Sequence, residues 1–150
     1  MASSKSRIVW ITGAGSGIGS ALAAEFAARG DRVILSGRTD SRLQALQTAI
    51  RQKKGEAEVV RCDVMRPDSV EAAARSIREM AGVPDILVNN AGITVFKNFL
   101  DTSVEEFDNI VQTNLRGSFL ATRAVLPSMM ARSSGLILNI VSFAAKTTYT

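Results

Sequence analysis

The sequence predicts a doubly wound α/β fold, a parallel sheet covered by helices on both faces. Three observations carry this prediction. Short runs of Val, Ile and Leu alternate with stretches whose apolar residues recur every three or four positions. The runs show little polar alternation, as expected of strands buried on both faces. A cluster of glycines separates the first run from the first helical stretch. With 150 residues, 46% of them hydrophobic, the chain has material for one core and too little length for two, so residues 1–150 are expected to form one domain.

The elements follow in order. Residues 7–12 (RIVWIT) read as a strand closed by glycines. Ile18, Leu22 and Phe26 then mark one face of a helix that ends near Gly30. Residues 32–36 (RVILS) form a second strand, and Leu43, Leu46 and Ile50 a second helix stopped near Gly55. Residues 58–62 (EVVRC) read as the third strand. Pro67 suits the first turn of a third helix, with a stripe of Val70, Ala73, Ile77 and Met80. Residues 85–89 (DILVN) give the fourth strand. Phe107, Val111, Leu115 and Phe119 place a long helix between about 103 and 132, and residues 136–142 (LILNIVS) form the fifth strand. Helical crossovers between successive strands imply parallel pairing.

Composition removes several function classes. The 18 Lys and Arg exceed the 14 Asp and Glu by four, but they are scattered, and few aromatics accompany them, so no nucleic-acid partner is expected. The chain has no histidine and a single cysteine, Cys62, which excludes a Ser-His-Asp triad, an internal disulfide and a Cys/His zinc site within these residues. Residues 1–6 are polar and lack the apolar core of a signal peptide, and no stretch approaches the roughly 20 apolar residues of a membrane helix. A soluble protein in a reducing, cytoplasmic setting is the expectation, with no membrane partner.

The chemistry concentrates after the first strand, in Thr12-Gly13-Ala14-Gly15-Ser16-Gly17-Ile18-Gly19. Glycines between a strand and a helix are what a dinucleotide pyrophosphate requires. Gly13 makes the tight turn, Gly17 lets the backbone approach the phosphates, and Gly19 lets the helix pack closely on the sheet. The helix N-terminus offers unpaired N–H groups and partial positive charge. No Gly-Lys-Ser/Thr follows, which argues against a P-loop nucleotidase. About 20 residues on, the second strand ends in Ser36-Gly37-Arg38. Sites that prefer NAD(H) place a carboxylate there to accept from the ribose 2′-hydroxyl. Here Gly37 carries no charge, and the guanidinium of Arg38 can pair with a 2′-phosphate. NADP(H) is therefore expected over NAD(H). The competing reading makes Arg38 an ordinary solvated arginine. The missing acid also argues against a methyltransferase.

With these residues in place, the chain resembles a classical short-chain dehydrogenase/reductase over essentially all its length. The family's Thr-Gly-x-x-x-Gly-x-Gly motif matches Thr12 to Gly19, and its Asn-Asn-Ala-Gly motif matches Asn89-Asn90-Ala91-Gly92. Its aspartate after the third strand matches Asp63, followed by Val64. Its helix asparagine matches Asn114, and its active-site serine matches Ser142. The resemblance implies a Rossmann-type fold in which Asp63 accepts from the adenine amino group. Asn90 braces the neighbouring loop while the adjacent backbone of Ala91 and Gly92 meets the cofactor ribose. Asn114 helps hold a water in a proton relay, and Ser142 orients a substrate carbonyl. Each has a structural alternative: a turn or capping role for Asp63, Asn90 and Ser142, and a backbone-bonded amide for Asn114. The spacing sets Asn114 beside the apolar stripe of its helix rather than on the wet face.

The resemblance also implies a Tyr-x-x-x-Lys pair about a dozen residues beyond the serine, past position 150. Tyr149 is seven residues beyond Ser142 and follows Lys146, so it reads as a loop residue. The expectation is the front part of a chain of roughly 250 residues whose fifth strand is a sheet edge. The complete protein is expected to be a homodimer or homotetramer that transfers hydride reversibly between NADP(H) and a carbonyl/alcohol substrate. Without the tyrosine these 150 residues are expected to show little turnover. A non-catalytic NADP(H)-binding module and a fragment that binds nothing are the alternatives. Phe96, Phe99 and Phe143 hint weakly at an apolar substrate portion.

Overall fold

The computed structural model describes residues 6–142. Its elements are β1 (Ile8–Thr12), α1 (Gly17–Ala28), β2 (Arg32–Ser36), α2 (Asp40–Gln52), β3 (Glu56–Val59), α3 (Pro67–Met80) and β4 (Ile86–Asn89). A 3-10 turn (Phe99–Asp101), α4 (Val104–Ile110), a π-helical segment (Val111–Arg116), α5 (Gly117–Ala131) and β5 (Leu136–Asn139) follow. All pairings are parallel, in the order β3-β2-β1-β4-β5. This is the expected doubly wound, Rossmann-type sheet.

Strand alternation feeds two cores. Val9, Ile11, Val33, Leu35, Ile86 and Val88 point to one face, where α1 and α2 supply Ala23, Ala27, Leu43 and Ile50. Trp10, Ile34 and Leu87 point to the other, where α3 and α5 supply Val70, Ile77, Ala121 and Val125. The indole of buried Trp10 donates to Ser36 Oγ at 2.8 Å, and that hydroxyl donates to the Val60 carbonyl at 2.7 Å. The largest core side chain therefore meets its hydrogen-bond requirement by linking the ends of neighbouring strands.

The first and fourth strands start one residue later than in the sequence reading, and two strands differ by more. β3 covers 56–59 rather than 58–62, because Arg32↔Glu56 through Leu35↔Val59 is the register that pairs with β2. Beyond it only isolated bonds continue, from Val60 N–H to Leu35 O and from Cys62 N–H to Gly37 O. β5 ends at Asn139 instead of 142, and it lies at the sheet edge.

The helix stripes differ more. In α1 the buried residues are Gly19, Ala23 and Ala27, while Leu22 and Phe26 flank the contact and Ile18 is exposed. Met80 of the expected α3 stripe is also exposed. The long helix past residue 103 is broken by the π segment. It buries Thr113, Gly117, Ala121, Val125 and Met129, whereas Phe107 (58% exposed), Leu115 (68%) and Phe119 (58%) face outward. Small side chains let a helix lie close on a sheet, and large ones are displaced to the flanks.

Carboxylates fasten the edge of the sheet from which the strands start. Asp31, just before β2, is buried and accepts from Arg7 Nε at 2.9 Å and Nη2 at 2.7 Å. Asp85 accepts the Ile8 N–H at 2.8 Å and pairs with Arg132 at 3.1 Å. The Arg7 hydrogen bonds hold the Asp31 carboxyl below the usual carboxylate range, against the opposing effect of burial. A depressed pKa contributes stability that is present above the unfolded value, about 3.9, and is lost as pH falls through the folded value. Asp31→Asn should cost about 1–2 kcal/mol at neutral pH, since Arg7 is half-exposed and partly screened. The gap to wild type should narrow progressively as pH falls below about 4 and close only below the depressed folded value. Urea melts at pH 7 and at a series of values from pH 4 downward measure both; a gap that does not narrow at all along that series would exclude the ion pair as its source.

Candidate functional site

The opposite edge, where the strands end, is open. A crevice of about 100 Å³ is lined by Gly13 after β1, Gly37 and Arg38 after β2, Cys62 to Met65 after β3, Ala91 to Ile93 after β4, and Thr113 of the π segment. It sits where the chain order reverses between β1 and β4, the place at which open α/β sheets take ligands. The volume suits one ring system and leaves the remainder of a larger ligand on the open surface.

The loop after β1 is held from both sides. Its Ala14 N–H donates to Ser36 O at 2.9 Å. Asn90 Nδ2 donates to the carbonyls of Thr12 and Gly13 at 3.0 and 3.1 Å. Thr12 Oγ1 accepts the N–H groups of Asn90 and Ala91 at 3.0 and 3.1 Å, and donates to Val88 O at 3.2 Å. Asn90 thus braces the glycine loop, and Thr12 completes the clamp. Thr12 was legible only as the first letter of its motif.

The glycines have different reasons. Gly13 has φ +64°, and a Cβ there would lie 2.7 Å from Ala91 Cα. Gly17 has φ +54°, but no protein atom within 4 Å of its Cβ position, so its requirement within the protein is conformational and the space beside it is open. Gly19 is a close approach: a Cβ would collide with Asn90 Nδ2 and lie 2.5 Å from Gly13 O. Gly15 has ordinary contacts, to Arg42 Cβ and Leu43. Ser16 is the N-cap of α1 without a side-chain capping bond, and no acidic residue occupies the first turn, which includes Ile18. The N-terminal N–H groups of this twelve-residue helix are therefore left for an anion.

Arg38 is exposed at the crevice and has no hydrogen bond or ion pair among the described residues. Arg42, in the first turn of α2, places its Cβ beside Gly15. Asp63 lines the crevice with Val64, and its Oδ1 accepts the Met65 N–H at 3.1 Å, so one carboxylate oxygen serves the turn. Burial pushes the Cys62 thiol up to about 12, which makes it a neutral wall and no nucleophile.

Asn114 departs from its expected place. It is exposed, and its amide forms a two-way bond with Ile93: the Ile93 N–H donates to Oδ1 and Nδ2 donates to Ile93 O, both at 2.9 Å. The π segment brings it next to Gly92, whose Cβ position lies 3.4 Å from Asn114 Oδ1. Asn114 also borders a groove between α5 and β5, with Asn139, Ile140 and Val141. Ser142 is exposed, three residues past the end of β5. Phe96 and Phe99 are almost fully exposed and belong to neither core. Phe143, Lys146 and Tyr149 lie outside the described residues. Among the described residues no helix is long and apolar enough to cross a membrane, and no cluster of three metal-binding side chains forms.

Comparison with known proteins agrees with this geometry. A family model described as short chain dehydrogenase matches residues 7–150. The chain is 42% identical over 138 residues to the NADPH-dependent pterin aldehyde reductase of Arabidopsis thaliana, covering 91% of this chain and 56% of that protein. It spans little more than half the length of the curated relatives it matches. Among solved structures, an actinorhodin polyketide ketoreductase variant with NADPH superposes with a TM-score of 0.93 at 34% identity, covering 100% of this chain and 58% of that one. A metagenomic short-chain oxidoreductase in complex with NADP gives 0.91 at 36%, covering 96% and 66%.

Proposed function

The chain belongs to the short-chain dehydrogenase/reductase family, and on that premise we propose that it forms the cofactor-binding part of an NADP(H)-dependent oxidoreductase acting on a carbonyl/alcohol pair in the cytoplasm. The observation that carries this reading is the crevice itself. Its lining brings Gly13 of the glycine loop together with Arg38, Asp63 and Val64, and the same loop leads into the bare N-terminus of α1. The residues suit the cofactor in charge and shape: an uncapped helix end for the diphosphate, a ring-sized recess for the base, and a guanidinium with no partner among the described residues for the 2′-phosphate. The NADPH or NADP named for the Arabidopsis relative and both solved structures supports the same choice.

Bound here, the cofactor would supply the hydride. The chain's own work is positioning. Gly13, Ala14, Gly15, Ser16, Gly17, Ile18 and Gly19 hold the diphosphate, Arg38 holds the 2′-phosphate, Asp63 and Val64 border the base, and Asn90 braces the loop while the backbone of Ala91 and Gly92 meets the ribose. Ser142 donates to the substrate carbonyl and orients it. Asn114 supports the site by fixing Ile93, a role its two backbone bonds favour over direct contact with a water. In the family's chemistry the proton comes from the tyrosine that the spacing puts past position 150. The outward apolar face of α4, the π segment and α5, with Phe107, Leu115, Phe119, Leu126 and Met130, supports a homo-oligomeric assembly.

Thermal unfolding with added NADPH tests the reading. At a ligand concentration about 100 times Kd, binding adds about 2.7 kcal/mol, which should raise Tm by about 5–10 °C. NADH should need a higher concentration for the same shift. No shift with either cofactor would exclude the proposal.

A further inference from the structure

The crevice contains a polar group that neither the phosphate loop nor the arginine accounts for. Thr113 is 6% exposed, lines the recess, and its Oγ1 has no hydrogen-bond partner among the described residues. A helical threonine ordinarily returns its hydroxyl to a carbonyl one turn back. Thr113 does not, and it sits in the π segment, where the helical ladder is widened. An orphaned buried hydroxyl is costly, and native proteins rarely keep one without a use.

Its placement is built in. One turn on, Gly117 meets Val64 so closely that a Cβ would lie 2.8 Å from Val64 Cγ2. That contact draws the start of α5 down onto the segment after β3. It leaves Thr113 at the recess, lined also by Cys62, Asp63 and Val64. Of the other lining residues, Arg38 and Asp63 are charged, Cys62 is a neutral thiol and the rest are glycine or apolar.

We propose that Thr113 is a specificity residue for the adenine base, its hydroxyl donating to a ring nitrogen while Asp63 accepts from the exocyclic amine. This rests on the NADP(H) reading above. An adenine edge pairs a donor with ring acceptors, and a hydroxyl with no partner beside a carboxylate supplies the complementary pattern. The missing hydrogen bond in the protein is then made in the complex.

The test separates the ligand role from a packing role by sign. Thr113→Val keeps the shape and removes the hydroxyl; Thr113→Ala removes it without bulk; Thr113→Ser keeps it. Val and Ala should weaken both NADPH and 2′,5′-ADP about three- to tenfold, and Ser should stay within about twofold. Nicotinamide mononucleotide, which lacks the base, should bind all four proteins alike. Without ligand, Thr113→Val should melt at or above the wild-type temperature, because no bond is lost. Unchanged affinity in both Val and Ala, a loss for NADPH without one for 2′,5′-ADP, or a clear drop in the ligand-free Tm of Thr113→Val would each overturn the assignment. Wild-type protein that binds neither NADPH nor 2′,5′-ADP would overturn the dinucleotide reading and this inference with it.

Discussion

Arg38→Ala is expected to weaken NADPH binding about 10- to 100-fold and to leave NADH within about twofold. The size follows from the kind of contact. Hydrogen bonds to charged groups contribute about 1.5–3 kcal/mol, and each 1.4 kcal/mol is about a factor of ten in affinity. The guanidinium has no hydrogen bond or ion pair within the described protein, so removing it breaks nothing in the fold, and Tm without ligand should not move. The loss should fall short of complete because Arg42 rises from the adjacent turn of α2 and keeps the local potential positive. Raising the salt concentration should shrink the difference between the cofactors, since it screens an exposed pair. Parallel titrations of wild type and variant with both cofactors measure the selectivity. Equal losses for NADPH and NADH would remove Arg38 from the 2′-phosphate and return it to the solvated surface.

The residues that prediction uses were legible because topology alone fixes where they lie. A parallel sheet places every strand end at one edge, so Gly13, Arg38, Asp63 and Ala91 converge there whatever the helices do. The helix faces were less legible. Spacing of large apolar residues chose Ile18, Leu22 and Phe26 in α1, and Phe107, Leu115 and Phe119 further on. The buried lines are instead Gly19-Ala23-Ala27 and Thr113-Gly117-Ala121. Both patterns have helical period, and sequence periodicity cannot tell a narrow line of small residues in contact with a sheet from a broad line of large ones beside it. The same error displaced Asn114. Its partner Ile93 is 21 positions away, and the π segment that brings them together leaves no mark in composition. Thr113 was passed over for a related reason: a threonine beside a motif asparagine gives no sign that its hydroxyl is both buried and unpartnered.

Gly19→Ala should destabilise the protein by about 2 kcal/mol and weaken NADPH binding by more than tenfold. The sign runs against local propensity, since alanine inside a helix is ordinarily favoured over glycine by about 1 kcal/mol. Here the new methyl would meet the Gly13 carbonyl at 2.5 Å and the Asn90 amide, which is itself bonded to Thr12 and Gly13. Neither neighbour can retreat without breaking the clamp that shapes the phosphate loop, so overpacking outweighs the helix gain. The pair can be separated from general strain by a double-mutant cycle. Asn90→Ala alone loses its loop bonds and should cost about 1–2 kcal/mol. Combined with Gly19→Ala it removes one half of the collision, so the double variant should be more stable than the sum of the single losses by about 1 kcal/mol. Simple additivity would mean that α1 approaches the loop less closely than the contact between Gly19 and Gly13 implies.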